Sequence, residues 1–124
     1  MSVSDYLENK LLDLVFNATS YAGQATVYVK LHTGDPGEAG TANAAGNTTR
    51  QAATFGAASA GSVASDADVT WTGVSTSETY SHVSLWDAST AGNCLWSGAL
   101  SSSKAVTAGD SFTLPSGSLT VAID

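Results

Sequence analysis

The feature that most constrains this chain is a change of apolar period about twenty residues in. Leu7, Leu11, Leu14 and Val15 recur at helical spacing, Ser4 is placed to cap the turn, and Asp5 and Glu8 suit the positive end of a helix dipole. From Ala25 the repeat is two: Ala25, Val27, Val29 and Leu31 point one way, and Thr26, Tyr28, Lys30 and His32 the other, as in a half-buried strand. The pattern predicts one amphipathic helix over residues 4–17 followed by strands alone. Leu12 and Phe16 widen the apolar stripe beyond a coiled-coil seam, so the helix is expected on a sheet or in an intersubunit groove, its own sheet being the expected seat.

Residues 33–49 carry Gly34, Pro36, Gly37, Gly40 and Gly46 with almost no large apolar side chain, which predicts a long surface loop of the kind that carries function or moves. Beyond it, Arg50–Phe55, Ala67–Trp71, Tyr80–Trp86, Cys94–Ser97, Ser111–Leu114 and Leu119–Ile123 read as short strands between turn-rich segments. With no helical pattern between them, the fold class is mainly β: an antiparallel β-sandwich or jelly-roll-like domain with a short N-terminal α-helix. A chain of 124 residues makes one domain, 1–124, with the helix at 4–17, the β-sandwich at 25–124 and the loop at 33–49. Ala, Ser, Thr and Gly dominate, so the core is thin, and flat faces of small residues favour burial by a neighbouring subunit.

Four basic residues against eleven acidic ones give a net charge of -7, which repels phosphate backbones and anionic lipid surfaces. Lys10, Lys30, Arg50 and Lys104 are scattered, so no nucleic-acid partner is expected. The opening Met1–Lys10 has acids where an export signal has a basic start, and no segment approaches the roughly twenty apolar residues of a membrane span, so no membrane partner is expected either. Cys94 is the single cysteine, which excludes an intrachain disulfide and a two-cysteine metal or redox motif. A buried thiol is the expected reading, ahead of an intersubunit bridge or a reactive thiol.

The string His32-Thr-Gly-Asp35-Pro-Gly-Glu38 gathers an imidazole and two carboxylates, the residue types of a metal site or a small hydrolase or lyase. It matches no zinc or calcium pattern, and Asp-Pro-Gly is turn chemistry. A Ser–His–Asp set could draw on His32 or His82, yet no Gly-x-Ser-x-Gly elbow is present. Asp66 and Asp68, two apart at a strand start, could share a cation, though a solvated face is the commoner outcome. Trp71 shares a face with Ala67 and Val69 and is expected in the core, which leaves Trp86 and Trp96 for an interface or for stacking a sugar ring. No catalytic residue, cofactor or metal is expected. The interface candidates are Leu7, Leu11, Leu14 and Val15 on the helix, Asp35 and Glu38 in the loop, and Trp86 and Trp96.

The strings from Ala25 to Gly37, Arg50-Gln-Ala-Ala-Thr-Phe-Gly-Ala, Ser81-His-Val-Ser-Leu-Trp-Asp-Ala, Leu95-Trp-Ser-Gly-Ala-Leu, Ala108-Gly-Asp-Ser-Phe and the closing Gly117-Ser-Leu-Thr-Val-Ala-Ile-Asp resemble small virion structural proteins of tailed bacteriophages. The resemblance covers nearly the whole chain, with Thr49 standing where the family pattern suggests an aromatic residue. It implies a virion component, assembled in the host cytoplasm and bringing no catalytic residue. Neither a repeat nor a heptad array is visible, so a compact knob is expected and not a shaft. The expectation is a non-enzymatic capsid decoration protein coating or stabilising the head, or alternatively a small tail-associated or tail-fibre module that binds a host receptor or glycan. Its expected partners are copies of itself, as a homo-oligomer such as a trimer, and a phage capsid or tail protein.

Overall fold

The computed structural model describes residues 2–123. Strand β1 (Ser2–Val3) leads directly into α1 (Asp5–Phe16). Ser4 sits between them with extended backbone and does two jobs. Its hydroxyl accepts from the Leu7 N–H at 3.3 Å, capping the helix, and donates to the Cys94 carbonyl, tying the cap to the sheet. The helix stops at Asn17, whose backbone N–H reaches the Asp13 carbonyl at 3.0 Å, and Ala18 then turns through a left-handed φ of 52°. These bounds agree with the helix read from the apolar period.

The remaining strands are β2 (Val27–His32), β3 (Gln51–Ala53), β4 (Ser62–Ala64), β5 (Val69–Trp71), β6 (Glu78–Trp86), β7 (Cys94–Val106), β8 (Phe112–Leu114) and β9 (Thr120–Ala122). All pairings are antiparallel. A five-stranded sheet has the order β1-β7-β6-β2-β3, while β4 pairs with β9 and β5 with β8 as separate ribbons. The domain is therefore mainly β with one short helix, as expected, but its second layer is split into two ribbons.

Register decides which side chains meet. Val29 lies opposite Leu85, Leu31 opposite Val83, and Leu85 opposite Trp96, so these five share the face turned toward the ribbons. There they join Val69, Trp71, Phe112, Leu114 and Leu119 in one core. Tyr80 of β6 meets Phe112 of β8 edge-on at 5.1 Å between ring centroids, and Phe112 meets Trp71 at 5.8 Å, which locks the sheet to the β5–β8 ribbon. Each of these rings removes about 150–250 Å² from water, at most about 4–6 kcal/mol apiece, so a few aromatics offset the scarcity of large aliphatics. The Trp96 ring also explains Gly98: a Cβ there would lie 2.3 Å from Cη2 of the indole, so only glycine lets the ring fold back along its own strand.

Several sequence expectations need correction. β7 runs to Val106, well past Ser97, because Ala99 and Lys104–Val106 pair with β6 although their side chains are mostly small or polar. The strand expected from Ala67 begins at Val69, with Asp66 and Ala67 in a bend. β1 and β4 went unread, being too short and small-sided to show alternation. Trp96, an interface candidate, is 2% exposed in the core, and Trp86 is 7% exposed. Alternation placed Trp86 on the face opposite Leu85, but that face is covered as well.

Candidate functional site

The cover is the 33–49 segment, which packs on the sheet instead of standing free. His32 ends β2 with its ring fully buried. Its Nδ1 lies 2.9 Å from the Ala42 carbonyl, which can only accept, so Nδ1 carries the proton and Nε2 accepts from the Ser84 hydroxyl at 2.7 Å. Ser84 Oγ in turn accepts from the Trp86 indole N–H at 2.7 Å. Every polar atom of this chain of contacts is satisfied with a neutral imidazole, and burial holds the His32 pKa below its ordinary value. Above the network Gly40 passes so close that a Cβ would sit 2.5 Å from Cys94 Sγ and 3.0 Å from Trp86 Cζ2. The Cys94 thiol is buried, and desolvation raises its pKa, the inert state expected of it.

The far end of the segment is held by Glu78, whose two oxygens accept from the Gly46 N–H at 2.8 Å and the Asn47 N–H at 3.1 Å. Arg50 lies over the Trp86 ring, 4.0 Å from its centroid, and donates through Nη1 to the carbonyls of Ala88 at 2.9 Å and Ala91 at 2.7 Å. Those carbonyls belong to the β6–β7 turn, which Asp87 closes by accepting from the Asn93 N–H at 2.7 Å. Thr49, the departure from the family pattern, contributes its carbonyl to the Trp71 indole N–H at 2.8 Å, a contact indifferent to the side chain there.

This arrangement is unsuited to the chemistry its residue types suggest. Ser84 and His32 are in hydrogen-bond contact, yet both are fully buried, and the second imidazole nitrogen meets a carbonyl where a triad has a carboxylate. Asp35 is exposed and accepts from the Gly37 N–H at 2.9 Å, the turn anticipated for Asp-Pro-Gly, and Glu38 is exposed beside it. Asp66 accepts from the Thr54 hydroxyl and Asp68 from the Ser116 N–H, so the pair is divided between two different contacts. Among the described residues no three His, Cys, Asp or Glu side chains converge to hold a metal ion. Glu38 and the edge of Trp86 line one shallow groove with Asp5, Tyr6 and Asn93. No described helix is long and apolar enough to cross a membrane.

The helix supplies what the loop does not. No described residue of α1 is buried, so it does not cover its own sheet as expected. Leu7 and Leu11 are half-buried, whereas Leu12 is 54%, Val15 69% and Phe16 77% exposed. Leu12, Val15 and Phe16 are spaced i, i+3, i+4 and form one stripe. Beside it lies Ile123, 58% exposed, and between them runs a groove of about 450 Å³ lined by Val3, Leu11, Leu12, Ala122 and Ile123 together with Ser2 and Glu8. Of the sequence candidates Leu14 and Val15 fall on exposed helix, while Leu12, Phe16 and Ile123 were not singled out for an interface. Their signal lay in the width of the apolar stripe, which packing through half-buried Leu7 and Leu11 leaves uncovered.

An antiparallel β-domain whose polar clusters are tied to its own backbone, with apolar surface left on an appended helix, has the form of a packing module. A family model described as Podophage GP4 fiber I protein gp80 matches residues 2–122, and the chain belongs to that family. It is thus a phage virion structural protein of the tail-fibre-like kind, in keeping with the resemblance read from its strings. No curated protein matches the chain.

Proposed function

We propose that this chain is a non-enzymatic module of a tailed-phage fibre, which packs within the fibre assembly through the exposed apolar face of α1. The observation that carries this reading is the Leu12–Val15–Phe16 stripe, an apolar surface on a chain whose large side chains are otherwise scarce and mostly buried. Family membership supports a fibre location over a coat on the head shell. The buried positions of Ser84 and His32 support the non-enzymatic part. Glycan stacking on Trp86 or Trp96 draws little support, because one ring lies under Arg50 and the other in the core.

Cryo-electron microscopy of virions carrying this protein tests the location. Density for the knob in the fibres supports the reading. Regular copies on the capsid shell would replace it with capsid decoration.

A further inference from the structure

We infer that the exposed face of α1 is a self-association surface, in which Phe16 of each of two antiparallel helices seats in the groove between α1 and β9 of the other chain. The inference rests on the structural-module reading and names the first partner of that face as a second copy.

The argument begins with complementarity within one patch. Phe16 projects from the last turn of the helix, and Leu12, one turn earlier on the same stripe, lines the groove. Protruding ring and apolar recess therefore adjoin each other on the same chain, the arrangement that a twofold axis converts into two identical contacts. At about 450 Å³ the recess is large enough for a phenyl ring with the Val15 side chain beside it.

Area points the same way. At their exposures in the structure Leu12, Val15, Phe16 and Ile123 leave on the order of 500 Å² of mostly apolar surface in water on each chain, so two copies together reach roughly the 1,000 Å² at which specific interfaces begin. A one-way contact would leave a groove open on one chain and a ring free on the other and would propagate. The twofold pairing fills both and closes.

Light scattering on the eluting full chain tests this, at concentrations from low to high micromolar. A two-chain mass is expected, falling to one chain in Phe16→Glu while the thermal melt of the β-core is retained, since Phe16 supports nothing inside its own chain. A second measurement mixes Phe16→Cys chains with Ile123→Cys chains under mild oxidation: a disulfide between the two variants is expected, and none in the parent, whose Cys94 is buried. A single-chain or three-chain mass for the parent, an unchanged mass in Phe16→Glu, or no mixed disulfide overturns the pairing. Monomers still found in the fibres of virions would sink this inference alone, whereas dimers found only on the capsid shell would sink the fibre reading alone.

Discussion

Replacing Gly40 with alanine tests whether the 33–49 segment is truly seated on the sheet. Two penalties apply. Gly40 has φ +70°, a left-handed conformation that costs a residue with a Cβ about 1–2 kcal/mol. The new methyl would also lie 2.5 Å from Cys94 Sγ and 3.0 Å from the Trp86 ring, an overpacking that costs typically about 1–3 kcal/mol. Gly37 is the control, with φ +71° and nothing within 4 Å of a built Cβ, so Gly37→Ala incurs the first penalty alone. In urea unfolding followed by tryptophan fluorescence, Gly37→Ala should lose about 1 kcal/mol and Gly40→Ala about 3 kcal/mol, with the denaturant slope unchanged. The larger loss lowers the melting temperature by on the order of 10 °C in a domain of this size. An aromatic disulfide reagent should also label Cys94 faster in the Gly40 variant, because lifting the segment uncovers the thiol. Combining Gly40→Ala with Cys94→Ala should recover part of the steric loss and none of the backbone loss. Equal losses in the two glycine variants would refute the seating.

Three further outcomes follow from the polar contacts. The His32 pKa is held by burial below its ordinary 6.5, so the unfolded chain takes the proton first as pH falls. Stability is complete above about 6.5 and declines below it by up to about 1.4 kcal/mol per pH unit until the folded value is reached; His32→Gln should flatten the dependence of unfolding free energy on pH just below 6.5, and an unchanged slope would count against the buried neutral ring. Arg50→Lys should cost about 2 kcal/mol in denaturant unfolding despite keeping the charge, because an ammonium cannot both lie flat on Trp86 and reach two carbonyls; a loss no greater than a few tenths would contradict the clamp. Ser4→Ala should cost about 1 kcal/mol and raise amide hydrogen exchange in the first turn of α1, whereas exchange unaltered there would mean the cap does not hold the helix.

The helix was legible because a cap, two acids and four apolar residues at helical spacing all agree over Ser4–Asn17, and β2 was legible because alternation survives for eight residues. The longest strand was half lost because Leu100-Ser-Ser-Ser-Lys carries no alternation; Ala99 and Lys104–Val106 pair with β6 on either side of a register shift, and that pairing, not side-chain pattern, continues the strand. Trp86 and Trp96 were misjudged for one reason. Alternation assigns a side chain to a face but does not say whether that face is wet, and here Val83-Ser84-Leu85-Trp86 is buried on both sides. The segment that covers the second face reads as loop in composition, since its attachments are backbone groups of Ala42, Gly46 and Asn47 held by side chains distant in sequence. The exposed stripe of α1 was half visible: its width was plain, but which part the sheet would claim depended on how β1 hangs the helix from the edge of β7.

These clamps also bear on how such a domain can associate. Arg50, Glu78, Asp87 and His32 together hold main-chain groups of one turn and one long segment, so the surface they shape is rigid and reorganising it would break several contacts at once. The α1 stripe lies apart from these clamps, and its groove is already open in the single chain before any encounter. A net charge of -7 makes two copies repel at a distance, but at physiological salt that repulsion fades beyond roughly 8 Å. Charge therefore discourages indiscriminate clustering while the stripe, too small to hold a poorly matched surface, favours a partner that fills the groove. The same thin core that needs internal clamps thus leaves α1 free to serve the assembly, because the domain does not depend on burying it.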